Sequence, residues 1–318
     1  MEMFERPRDY KGPNLDPTGI SFRPRAFANG VYALLARPWP RDNSGVIVGE
    51  NATLVIDAGI NGRVAQRIQK IAAKLSDKPV RYLVNTNYHG DHTFGNYAFP
   101  DSVEIIAHRK TADSMTDLEY EKRIRSRNLY GKGESIADVT RWRKPDRVFD
   151  ERLDIDLGGI VVQLRHFGPG NTPGDTVVYL PKQRVAWTGN LIGNEKLLPM
   201  LLEVGPLPYM ETLIRCYETL EIRTTVPGHG PLGGAGAFPR TVHYLSALVQ
   251  DVAAAVRRGL TADETVDSVR LRPEFELPWW FPGARLRELM QQFQRLNVLF
   301  VYREMHLRRE SAGKVEGT

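Results

Sequence analysis

Residues 80–84 read as a short apolar strand, and the chain leaves it directly into Asn85-Thr86-Asn87-Tyr88-His89-Gly90-Asp91-His92. Two imidazoles and a carboxylate so close together on one loop can converge on a divalent ion, since neutral His and ionised Asp are ordinary ligands for zinc or iron. The plainer reading is local: Asp91 caps a helix that starts near Thr93. The ligand reading restricts the fold more, because it needs a strand end that holds a polar loop in place. Loops at strand ends are where sites assemble in α/β proteins.

The flanking sequence supplies such a fold. Residues 27–35, 45–48 and 53–57 read as strands, with Gly49-Glu50-Asn51 as a turn and Gly59 as a stop. Val64, Ile68, Ile71, Ala72 and Leu75 then recur at helical spacing until Pro79. A strand over 103–107 continues the alternation, which makes the class α/β. The charged stretch 110–145 reads as a helical insertion broken at Gly131 and Gly133. Strands follow over 147–149, 153–157, 160–164, 176–180, 185–188 and 224–226, with Gly158-Gly159 as a hairpin turn. The remainder is helical, over about 239–258 and again where Leu286, Leu289, Met290, Phe293, Leu296, Phe300 and Val301 make an apolar face. That face packs on the body or serves a homodimer. Strand-rich halves with helices outside suggest a four-layer αββα sandwich. The expected organisation is an extension over 1–20, mobile or draped on the surface, a catalytic domain over 20–235, and a helical C-terminal extension over 236–310.

Composition narrows the function classes. Hydrophobic residues are 42% and charged residues 25% of the 318, ordinary for a globular protein. The single cysteine, Cys216, excludes a disulfide within the chain and a thiolate metal cluster, and fits a cytoplasmic location. No signal-peptide pattern and no run near the roughly 18 apolar residues of a membrane span are present. The net charge is +5, but Arg23, Arg63, Arg123, Arg143 and Arg257 are scattered among acids. A nucleic-acid binder would show a basic stripe with interleaved aromatics. The expected partner is therefore a small-molecule substrate, with neither nucleic acid nor membrane.

Three later loops also follow strands: Gly168-Pro169-Gly170-Asn171-Thr172-Pro173-Gly174-Asp175, Trp187-Thr188-Gly189-Asn190 and Pro227-Gly228-His229-Gly230. With the first loop they resemble, in order and flanking residues, the metal-binding signature of the metallo-β-lactamase superfamily. That signature is His-x-His-x-Asp-His, a His in a Gly-Pro-Gly-His-Thr-Pro-Gly-Asp turn, a bridging Asp after Thr-Gly, and a final Gly-His-Gly. The similarity runs from about residue 31 to 230, and the strand ending in Asp57-Ala58-Gly59 shares it.

The departures are informative. Asn87 stands at the position of the first His, Asn171 at that of the turn His, and Asn190 at that of the bridging Asp. By the resemblance, one ion position keeps only His89, while the second keeps Asp91, His92 and His229. Neutral amides are weak ligands, so the expectation is one divalent ion, with zinc first and then iron or manganese. The carbapenem-specific mono-zinc lactamases are similar in having Asn at the first position, although they keep the turn His and place a Cys where this chain has Asn190. With zinc the implied activity is hydrolysis of an ester, thioester, lactone or related acyl bond, assisted by His89 and Asp91. Two His and one carboxylate would also suit a mononuclear non-haem iron oxygenase. The same pocket could serve a metal-poor lyase or isomerase in small-molecule biosynthesis, with the three asparagines contacting substrate, or a non-catalytic ligand-binding descendant of the fold.

Weaker candidates remain. His166, His108 and His243 read as structural or packing residues. Lys196 and Arg215 follow the Asn190 loop and are candidates for a substrate carboxylate. The aromatic stretch 278–282 reads as a packing corner or a lid, and Cys216 as inert packing.

Overall fold

The computed structural model describes residues 7, 9–130, 136–194, 197–277 and 284–315. One sheet takes seven strands in chain order: β1 (Ser21–Ala28), β2 (Val31–Arg37), β3 (Ser44–Val48), β4 (Thr53–Ile56), β5 (Val80–Val84), β6 (Glu104–His108) and β7 (Arg147–Phe149). Pairing is antiparallel from β1 to β4 and parallel from β4 to β7. The parallel steps need crossovers, which carry α1 (Gly62–Leu75), the single turn α2 (Gly90–Thr93), α3 (Arg109–Ser114) and α4 (Leu118–Ser126). The second sheet contains β8 (Arg152–Asp156), β9 (Val161–Arg165), β10 (Val177–Leu180), β11 (Val185–Gly189) and β12 (Thr224–Pro227), antiparallel except for the β11–β12 pair. α5 (Pro206–Thr219) makes that crossover, and α6 (Ala237–Arg257), α7 (Ala262–Ser268) and α8 (Ala284–Val315) complete the chain.

The period-two alternation of the strands sets the layering. On β4, Leu54 and Ile56 face the second sheet, and Val55 faces away toward α1. On β10, Val178 and Leu180 meet the first sheet, and Val177 and Tyr179 pack toward α5 and α6. Strands buried on both faces and flanked by helices give three apolar layers, and hence the αββα sandwich.

Three expectations change. The strand read over 27–35 is the hairpin of β1 and β2, reversed at Asn29-Gly30, with Gly30 at φ +77°. The N-terminal segment is partly structural: Leu15 and Ile20 are buried in the layer beneath the first sheet. Among its described residues the insertion is helical in α3 and α4 alone, and residues 136–146 run without helix. They are held by polar groups of the body. The Arg143 guanidinium donates to the carbonyls of Phe99 and Val103, and Trp142 Nε1 donates to Thr93 Oγ1 at 2.8 Å. Arg143 is thus tied down rather than free surface charge. Among the described residues no helix is long and apolar enough to cross a membrane.

Candidate metal centre

All the candidate loops leave the same edge of the two sheets. β5 delivers residues 85–92, β9 delivers Asn171, β11 delivers Asn190 and β12 delivers His229. Asp91, His92 and His229 converge there with a residue the sequence pattern did not point to, Asp42. One ligand atom from each of these four lies within 4.8 Å of all the others.

Asp42 precedes β3 and is placed by its neighbour. Asn43 receives no help from local sequence pattern, yet its backbone N–H donates to Gly228 O at 2.7 Å, and its side-chain amide donates to Pro227 O and Gly230 O, both at 2.9 Å. These bonds staple the loop before β3 onto the His229 loop. Asp42 Oδ1 then lies 3.0 Å from His229 Nε2 and 3.8 Å from His92 Nε2.

Each imidazole is oriented from behind. His92 Nδ1 donates to Asp57 Oδ2 at 2.9 Å, and His229 Nδ1 donates to Pro40 O at 2.7 Å. With Nδ1 committed, Nε2 of each ring faces the cluster, the arrangement by which proteins prepare His for a metal. His92 Nε2 and Asp42 Oδ1 are buried and have no hydrogen-bond partner. Such orphaned atoms are costly unless a ligand satisfies them. Burial, and then the charge of Asp91, pushes the Asp42 carboxyl up to about 8. Burial opposes charge on His92, but Asp57 and then Asp42 and Asp91 push it up to about 10. The cluster therefore calls for positive charge at its centre. Two neutral imidazoles and two carboxylates fit a divalent ion such as zinc, manganese or iron(II).

Beside the cluster lies His89, 3% exposed, with Nε2 3.4 Å from Glu203 Oε1 and its ring edge-on to Tyr88. Burial, aided by the Arg125 charge, lowers its pKa, so it is a neutral imidazole. Tyr88 also donates to Glu203. Asp91 Oδ1 accepts from Arg125 Nη1 at 3.1 Å, and Arg125 Nε lies 2.8 Å from Glu121 Oε1. Burial resists the Asp91 charge, but Arg125 and the two histidines hold its carboxyl well below the usual range. Asp57, Glu121, Arg125 and Glu203 were not legible as site residues. Glu121 and Arg125 sit in a charged run that reads as a solvated helix face.

The altered positions remain in the site. Asn87 Oδ1 accepts from the His89 N–H at 2.9 Å, while its Nδ2 has no partner. Asn171 Nδ2 donates to Met200 O at 2.9 Å, while its Oδ1 has none, and Asn190 Oδ1 has none. Asn171, Asn190, His89, Asp91 and His229 line one pocket with apolar residues that include Leu15, Trp39, Leu198, Met290 and Phe293. Arg215 is exposed on α5 and lies outside that pocket. Lys196 and the aromatic stretch 278–282 lie outside the described residues. His166 stacks on His108 with centroids 3.7 Å apart, and His243 is exposed beside Phe275, all away from the cluster.

Comparison with known proteins bears on the fold and the family. The chain is 24% identical over 268 residues to a linear primary-alkylsulfatase from a Pseudomonas species, covering 72% of this chain and 50% of that one. It is 23% identical over 260 residues to the alpha subunit of a 2,4-dinitroanisole O-demethylase from a Nocardioides species, covering 80% and 70%. Among solved structures it superposes on the inverting sec-alkylsulfatase Pisa1 from a Pseudomonas species with a TM-score of 0.67 at 14% identity, over 89% of this chain and 50% of that one. The chain spans about half the length of these alkylsulfatases. The family model described as the metallo-β-lactamase superfamily matches residues 38–229. Two stacked sheets between helical layers, loops gathered at one sheet edge and a match over most of the chain lead to one assignment: the chain belongs to the metallo-β-lactamase superfamily.

Proposed function

We propose that this chain is a hydrolase that works with one divalent ion, zinc first, held by Asp42, Asp91, His92 and His229, and that it cleaves an ester, thioester, lactone or related acyl bond in an uncharged, largely apolar substrate. The observation that carries the reading is the convergence of those four ligand atoms beside a largely apolar pocket, which Asp91 and His229 line. When bound, the ion would supply Lewis acidity toward a carbonyl and a water of lowered pKa. The chain's own groups do the rest. Asp57 and the Pro40 carbonyl hold the ligand rings, and neutral His89 is available to accept a proton and pass it toward Glu203. Asn171 Oδ1 and Asn190 Oδ1, both on the pocket lining, are free acceptors for the polar end of a substrate.

The pocket lining supports an uncharged substrate. Among the described lining residues Arg125 is the one permanent cation, and Asp91 and Glu121 already engage it. An alkyl sulfate would need positive charge there. The O-demethylase relative is named for an uncharged aryl ether, so a nitroaryl ether belongs in any substrate panel. The test is metal content of the purified chain together with turnover of 4-nitrophenyl acyl esters. The expected result is about one ion per chain, with turnover abolished by Asp42→Ala and by Asp91→Ala. Undiminished turnover in either variant would overturn the reading.

A further inference from the structure

Losing two histidines and the bridging Asp explains why a metal leaves the first ion position, but not what balances the charge it leaves behind. The acids around that position persist. Asp91 and Glu121 are both buried, at 1% and 4% exposure, and Glu203 faces His89. Buried carboxylates without a counter-charge are strongly destabilising. The one permanent cation among the described residues of the pocket is Arg125, 6% exposed and carried by α4 of the insertion. Its Nη1 donates to Asp91 Oδ1 at 3.1 Å, while the other oxygen of the same carboxylate, Oδ2, is turned to His229 Nε2 at 3.4 Å. The Asp91 carboxylate thus has a guanidinium on one side and the ligand cluster on the other. Glu121 completes the fixture: its Oε1 lies 2.8 Å from Arg125 Nε as an ion pair and accepts the Gly90 N–H at 2.8 Å, which locks α4 onto the ligand loop. Arg125, His89 and Asn171 line the same pocket.

We propose that the Arg125 guanidinium stands in for the first ion, as a permanent cation that neutralises the outer oxygen of Asp91 and keeps a second metal from binding beside His89. This inference rests on the one-ion reading above. It makes the insertion part of the site, and Arg125 a positioning residue for Asp91. An ion that can dissociate has been exchanged for a charge that cannot, since a guanidinium does not lose its proton in a protein.

The experiment restores the missing donors. Wild type, the triple variant Asn87→His/Asn171→His/Asn190→Asp with Arg125 kept, and the same triple variant with Arg125→Gln/Glu121→Gln are equilibrated with zinc and desalted. Zinc per chain is then measured by plasma mass spectrometry. Parallel cobalt-loaded samples are read by visible absorption, which reports sites independently of turnover. The expected loading is one ion in wild type, one in the triple variant, and two once Arg125 and Glu121 are neutralised. Adding Arg125→Lys to the triple variant, which keeps the charge, should leave it at one. Two ions in the triple variant that retains Arg125, or one ion in a folded chain with all five substitutions, overturns the inference. If the five-substitution chain does not fold, the triple variant with Arg125 kept decides alone. A wild type without any ion refutes the one-ion function itself, so the two failures are told apart.

Discussion

Asp57→Asn isolates how the metal centre is oriented. Asp57 follows β4 directly at φ +58°, a left-handed conformation that Asn tolerates almost as well as Asp, so the backbone is kept. The wild-type carboxylate accepts three hydrogen bonds: from Thr86 N at 2.8 Å, Thr86 Oγ1 at 2.8 Å and His92 Nδ1 at 2.9 Å. An amide has one acceptor oxygen and a donor NH2 group, so it cannot satisfy all three. His92 would then be drawn toward the tautomer that protonates Nε2 and disables it as a ligand. A hydrogen bond to a charged group is worth about 1.5–3 kcal/mol, and 1.36 kcal/mol is about one decade in an equilibrium constant. Both agree with the roughly 10–100-fold losses that follow when a histidine ligand loses its outer partner. Zinc affinity measured by competition with a chromophoric chelator should therefore fall on the order of 10–100-fold, with the fold preserved by circular dichroism. An affinity within about twofold of wild type would refute the claim that Asp57 prepares His92.

Further consequences follow from the same structure. In a series of linear 4-nitrophenyl acyl esters, each added methylene should raise kcat/KM about fourfold until the pocket fills, given about 0.8 kcal/mol per buried CH2. A flat series would show that the acyl chain lies elsewhere. Burial raises the Asp175 carboxyl to about 7 against its bonds from Thr172. Its folded pKa lies above its unfolded one, so the stability it contributes is complete below about pH 4 and is lost as pH rises through about 7. Asp175→Asn should remove that dependence, narrowing the difference between acid and neutral unfolding by at most about 4 kcal/mol. Parallel urea curves for the two chains across that range would contradict it. Burial also pushes the Cys216 thiol up, so a thiol reagent should label it only on unfolding. Rapid labelling of the native chain would refute its burial.

The fold was legible because its signals are local. Apolar runs such as 80–84, the glycine turn at 158–159 and the spacing of Val64, Ile68 and Ala72 each declare an element without reference to distant chain. Asp91, His92 and His229 were legible because they stand in dense, glycine-flanked loops. Asp42 was not, since nothing beside it marks a ligand, and its role comes from Asn43 bonding a loop far along the chain. Glu121 and Arg125 were hidden for a different reason. A charged i,i+4 pair is ordinary on a solvated helix, and only the docking of α4 on Gly90 buries it. The hairpin at Asn29-Gly30 lies in plain view in the sequence, but the apolar strand beyond it masks the turn.

The contact of Pro40 with His229 spans 189 residues of chain. Asp42, Asp91 and His92 hang from the sheet built by the first half of the molecule, and His229 from the sheet built by the second. A metal held by all four, as proposed, would be a clasp between two separately woven halves. It would close a loop that the Asn43 bonds to Pro227 and Gly230, 184 and 187 residues apart, also close, and closing so long a loop is entropically expensive. Chelation should therefore loosen the seam between the sheets before it melts either one.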